Sequence, residues 1–154
     1  MSTTASSFDV TVERWGATRE ELWSAVGVPG AHHPVPDDAD ANGCGWPVGV
    51  EIPTDETWRS GFHLITLRAH DGPPDRRTAH ACFVVRSNRQ VDESPRAVIV
   101  LGTNTWNAYN TWGGRSLYTG GKQVSFDRPF GRVTLERPEV ERDDRKSRPV
   151  YTGE

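Results

Sequence analysis

"FHLITLRAHDGPPDRRTAHACFVVRS", residues 62–87, carries the reading that decides the fold. "FHLITLRAH" and "HACFVVRS" are rich in β-branched and aromatic residues, which suit a pleated, half-buried surface. "DGPPDRR" between them holds Asp-Gly and Pro-Pro, residue types that turn a chain and end a strand. Two strands around a turn are expected. Toward the N-terminus, "FDVTVERWG" (8–16) sets Val10, Val12 and Trp15 near a period of two, a third strand. "TREELWSAVG" (18–27) reads instead as a short helix. Thr18 stands as N-cap with Glu21 three residues on, ahead of Leu22 and Trp23, and Gly27 closes it. Residues 28–45 form a long Pro-, Gly- and Asp-rich loop, a length usually functional or mobile. "WPVGVEIP" (46–53) is expected as a strand and "DETWRSG" (55–61) as a turn. The Ser/Thr-rich residues 1–7 are expected to be disordered.

Residues 8–92 thus read as mainly β, a small immunoglobulin-like β-sandwich. The polar "NRQVDESP" (88–95) ends it, and the character then changes. "RAVIVLG" (96–102) is an apolar strand of the kind buried on both faces, followed at once by polar, Gly-rich chain. An α/β domain often begins this way, and its ligands gather beyond the carboxyl ends of such strands. Residues 93–132 are expected as the first strand and loop of an incomplete α/β domain. Residues 133–154 form a charged tail expected to be disordered. No second α/β repeat follows. A lone parallel strand cannot cover both its faces, so the chain looks like the front part of something larger, or a module completed by a partner.

A length of 154 residues fits one domain, or one and part of a second. A net charge of -3 with both signs mixed gives no electrostatic reason to expect nucleic acid or an anionic membrane as partner. The longest apolar run, Ala97 to Leu101, falls far short of the roughly 20 residues of a membrane span. The N-terminus lacks a secretory n-region and h-region, so the cytoplasm is the expected compartment and Cys44 and Cys82 are expected as free thiols.

The chemistry concentrates in "LGTNTWNAYNTWGGRSLYTGG", residues 101–121. Asn104, Trp106, Asn110, Trp112, Gly113 and Gly114 are candidates to line a site there. Asn104, Asn107 and Asn110 can equally cap the loop, and the tryptophans can pack beneath it. Asp127 and Arg128 in "SFDRPFG" read as a local ion pair or as part of a site-lining loop. The five histidines fit no zinc spacing, and His63 and His70 are expected to point to solvent.

"TNTWNAYNTWGGRSLYTG" followed by "VSFDRPFG" resembles the N,N-dimethylformamidase large (beta) subunit family in its C-terminal catalytic region. "CGWPVGVEIPTDETWRSGFHLITLRA" and "HACFVVR" share the likeness, which covers about residues 10–132. The resemblance implies an amide hydrolase with a mononuclear iron held by two tyrosines and a glutamate. By position, Tyr109 and Tyr118 match the tyrosines. The family's glutamate lies in a later segment like "HDEYW", which this chain lacks. Phenolate is a hard donor suited to ferric iron, and a bound cation favours the ionised phenol. The expected reading is a partial amidohydrolase, acting on a small amide if missing segments or a homo- or hetero-oligomeric partner complete the site. The alternatives are a non-catalytic Ig-like interaction module or an inactive gene fragment.

Overall fold

The computed structural model describes residues 1–86 and 100–131. They form two compact units: Met1–Pro34 with Trp46–Leu101, and Val35–Gly45 with the described residues from Gly102 on. The chain is mainly β, as the sandwich-like reading requires. Strands β1 (Ser7–Trp15), β2 (Arg19–Pro29), β3 (Gly61–Ala69) and β4 (Thr78–Val85) make one antiparallel sheet in the order β2-β1-β3-β4. The second unit carries a one-turn helix α1 (Ala39–Asn42) and helix α2 (Thr103–Tyr109).

Alternation in β1 sets the faces of the sheet. Phe8, Val10 and Val12 are almost wholly buried, and the residues between them are not. Opposite them on β3 stand Ala69, Leu67 and Ile65, and beyond these on β4 stand Ala79 and Ala81. Directly paired residues share a face, so this row is the apolar side of the sheet. The other side carries Ser7, Asp9, Thr11 and Glu13, with Thr66 bonding His80 across to β4 at 3.3 Å. The 71–77 turn forms as expected, with one 3-10 turn at Pro74–Arg76. Of residues 1–7, expected to be disordered, Ser7 opens β1 and 1–6 adopt neither helix nor strand, but Thr3 N–H bonds Ala31 O at 2.9 Å and Ala5 is buried.

The 18–27 segment is a strand, not a helix. Its backbone pairs along β1, with Trp23 opposite Val12 and Ala25 opposite Val10. A central strand as apolar as β1 needs a hydrogen-bonding neighbour on each edge, and that long-range demand overrides the local capping signal. Arg19, at the start of β2, lies over the Trp15 ring, 4.0 Å from its centroid, and holds the hairpin end together. Gly27 does not stop a helix; it sits at φ 68 where the pairing slips past Asp9, and its N–H donates to the Asp9 carboxylate at 2.9 Å. That bond, and a second to His70 at 2.7 Å, hold the Asp9 carboxyl below its ordinary pKa.

The 46–53 segment forms no strand. Pro47 and Pro53 bring no N–H to a ladder, and Gly49 has no side chain to pack. The apolar run expected as a strand lies outside the described residues at 97–99, and Val100 and Leu101 are in neither helix nor strand. The 88–95 linker and the 133–154 tail also lie outside the described residues.

His63 corrects another expectation. It is fully buried, not solvated, because it falls on the apolar face opposite Arg14 and Phe83. Phe83 stacks on it at 5.1 Å and Trp58 at 5.6 Å. Nδ1 lies 3.1 Å from Gly61 O, and Nε2 is buried with no partner among the described residues. His70 is the exposed one, paired with Asp9.

Burial pushes the His63 pKa below its ordinary value, and the nearby Arg14 charge adds to this against the Gly61 hydrogen bond. A depressed base favours the neutral form in the fold. Its contribution is present above the unfolded value of about 6.5 and is lost as pH falls through the folded one. Denaturant unfolding followed from pH 7 downward is therefore expected to show a loss of stability on the acid side. His63→Phe, which keeps the stack and removes the titration, is expected to flatten that loss relative to the parent.

Candidate functional site

The aromatic stretch is folded around one buried cation. Arg128 is 7% exposed, and its guanidinium faces backbone carbonyls. Nη1 donates to Trp112 O at 2.6 Å and Nη2 to Asn110 O at 3.0 Å and Asn107 O at 3.5 Å. Nε donates to Ser125 O at 3.1 Å. Two of these carbonyls belong to the C-terminal end of α2, where carbonyls lack helical partners and a cation is favoured. Burial lowers the guanidinium pKa, and the Asp40 charge opposes this. An arginine stays charged under such a shift. The expected Asp127–Arg128 ion pair does not form. Asp127 instead accepts from Gly45 N–H at 3.0 Å, and its carbonyl accepts from Cys44 N–H.

Residues 35–45, read from sequence as loop, brace this unit. Asp40 O accepts from Ser125 N–H at 2.8 Å, and its Oδ2 accepts from Arg115 N–H at 2.6 Å. Gly114, at φ 148, passes so close that a Cβ there would stand 2.7 Å from the Asp40 carboxylate. Gly113, at φ 75, lies against Ala39, which is wholly buried, and a Cβ there would stand 3.2 Å from the Ala39 Cβ. The Gly-Gly pair is thus accounted for by close packing on α1. Cys44 is a free, buried thiol whose pKa is pushed up by burial and the Asp127 charge. Cys82 is free as well, as expected.

Asn110 spends its amide on the loop: Nδ2 donates to Pro129 O, and Oδ1 accepts from the N–H groups of Trp112 and Gly131. Asn107 is buried in α2 with its Oδ1 unpartnered among the described residues. Asn104 is exposed, and Trp106 and Trp112 are half-buried.

The two tyrosines are brought together. Tyr109 ends α2 on its exposed side. Tyr118 stands on a turn set by Ser116, which is 1% exposed: Tyr118 N–H donates to Ser116 Oγ, and Thr119 Oγ1 accepts from Ser116 N–H. Leu117 N–H donates to Ala108 O at 3.0 Å, tying the two tyrosine-bearing segments beside the rings. The rings stack with centroids 4.0 Å apart and planes 10° apart. Tyr109 is 51% exposed and Tyr118 66%. A hydrogen bond with Tyr118, and the repulsion a charged Tyr118 would exert, raise the Tyr109 pKa. Among the described residues no group of three or more His, Cys, Asp and Glu side chains could hold a metal.

The sequence marked the tyrosines but missed Arg128, Asp40 and Ser116 as the residues that place them. Arg128→Met is expected to cost about 3 kcal/mol in denaturant unfolding, since it strands carbonyls that a charged donor satisfied. Tyr109 is expected to ionise above the ordinary phenol range in an ultraviolet titration. Tyr118→Phe removes its hydroxyl partner and is expected to return Tyr109 toward that range. Any stability linked to the raised value is lost as pH rises through it.

No curated protein and no solved structure matches the chain. One family model does, over residues 9–152, described as N,N-dimethylformamidase beta subunit-like, C-terminal. That match takes in both units and the whole aromatic stretch, and the chain belongs to the N,N-dimethylformamidase beta subunit-like, C-terminal family.

Proposed function

We propose that the chain supplies the two-tyrosine part of an iron site for hydrolysis of small amides, completed by further chain or a partner. The observation that carries this reading is the Tyr109–Tyr118 pair, stacked at 4.0 Å and open to solvent. Two phenols held in one stack form a hard-donor platform of the kind ferric iron takes. The raised Tyr109 pKa keeps that phenol protonated near neutral pH until a cation displaces the proton. A bound iron would supply Lewis acidity toward an amide carbonyl or a water.

The chain's own residues do the positioning. Arg128 and Asn110 fix the end of α2 beneath Tyr109, and Ser116 fixes the turn beneath Tyr118. Trp106 and Trp112 are suited to limiting water around a bound amide, and Asn104 is the carboxamide left exposed for it. The remaining coordination positions fall to water or to a carboxylate from outside the described residues. The same reading takes the sheet as one layer of an immunoglobulin-like sandwich and the compartment as the cytoplasm. Among the described residues no helix is long and apolar enough to cross a membrane.

The second reading is a non-catalytic interaction module. Leu117 and Phe126, 45% and 57% exposed in the same unit as the tyrosines, favour it, since apolar and aromatic side chains suit interfaces.

Metal analysis of protein grown with iron, with its visible spectrum, separates the two. The expected outcome is bound iron with a broad tyrosinate charge-transfer band that is lost in Tyr109→Phe and in Tyr118→Phe. Both variants are expected to remain folded because both side chains are exposed. A folded, colourless protein that takes up no iron, alone or with a partner, would sink the metal reading and leave the interaction module.

A further inference from the structure

We propose that Tyr109 and Tyr118 are also an oxidative modification site, closing to an intramolecular dityrosine when a peroxide-driven one-electron oxidant meets the metal-free chain. This does not depend on iron binding. It rests on the ring geometry, the exposure of both rings and their fixed supports.

Ring coupling needs two phenoxyl radicals whose ortho carbons meet faster than either radical escapes. Planes 10° apart and centroids 4.0 Å apart bring carbons of one ring to within little more than van der Waals contact of the other. Exposures of 51% and 66% leave both rings open to an oxidant in solution. The Ser116 turn and the Leu117–Ala108 hydrogen bond hold the pair in register, so little further ordering is needed.

The chemistry balances with one hydrogen peroxide. Each phenol loses an electron and its hydroxyl proton to give a phenoxyl radical. The radicals form one carbon–carbon bond between ortho positions. The two ortho hydrogens then move to the oxygens, restoring both phenols. The protein has lost two hydrogen atoms, and the peroxide, taking up two electrons and two protons, becomes two waters. The haem peroxidase that carries the electrons is regenerated.

The consequence is a covalently fixed pair. Ortho–ortho coupling leaves the two hydroxyls flanking the new bond as a 2,2'-biphenol, so the link fixes their spacing instead of leaving it to the stacked rings.

The experiment treats the metal-free full chain with hydrogen peroxide and a haem peroxidase. Dityrosine fluorescence is read, and the linked peptides are mapped by mass spectrometry. The expected product is a monomer lighter by two hydrogens, with Tyr109 joined to Tyr118. Tyr109→Phe and Tyr118→Phe each abolish it, and Tyr151→Phe leaves it unchanged. Unfolding in urea is expected to slow the link roughly tenfold, because the two rings are then no longer held in one geometry. Three results would overturn the proposal: no dityrosine in the folded chain, links chiefly through Tyr151 or between chains, or an equal rate in urea. None of them bears on the iron spectrum, so this proposal and the iron reading fail separately.

Discussion

A guanidinium taken out of water must find acceptors, and among the described residues Arg128 finds them in backbone carbonyls. Arg128 meets those of Asn107, Asn110, Trp112 and Ser125. Leaving a buried charge unmatched costs several kcal/mol, so these carbonyls cannot drift from it independently. The end of α2, the following turn and the 125–128 loop therefore share one anchor. The position of Tyr109, between two of the carbonyls that Arg128 holds, follows from this constraint. The Gly113–Gly114 backbone can then close on α1, where any larger residue at Gly114 would strike Asp40.

In the first unit the organising demand is apolar. Phe8, Val10 and Val12 give β1 a buried face, and a buried strand must pair on both sides. β3 satisfies one edge in unbroken register. β2 satisfies the other with two register shifts, and the one between Phe8 and Val10 is where Gly27 N–H meets the Asp9 carboxylate. At the far end of the same face, His63 joins Trp58 and Phe83 in a cluster of three rings, where a neutral imidazole behaves as one more flat ring.

The two units were legible in the sequence to different depths. β1, β3 and β4 announced themselves by period and composition, because a half-buried strand must alternate. β2 did not, because an edge strand may carry almost any side chain, and its Thr18–Glu21 pattern fits a helix cap equally well. "WPVGVEIP" misled in the other direction, since β-branched residues say nothing about whether a partner strand is there. His63 was misplaced because a histidine between strand residues looks the same whether it faces water or a ring.

Length, charge, the β class, three of the four strands, the turn at 71–77 and the tyrosine-bearing motif were fixed by residue order, because period, turn chemistry and motif are local properties of a chain. Tertiary structure alone decided which arginine is buried, that residues 35–45 brace the aromatic stretch, and that two tyrosines nine positions apart stack face to face. A surface arginine and a buried one read alike in one dimension. Only the meeting of distant segments creates the carbonyl set that makes burial of Arg128 affordable, and only that burial gives the tyrosines a fixed place to stand.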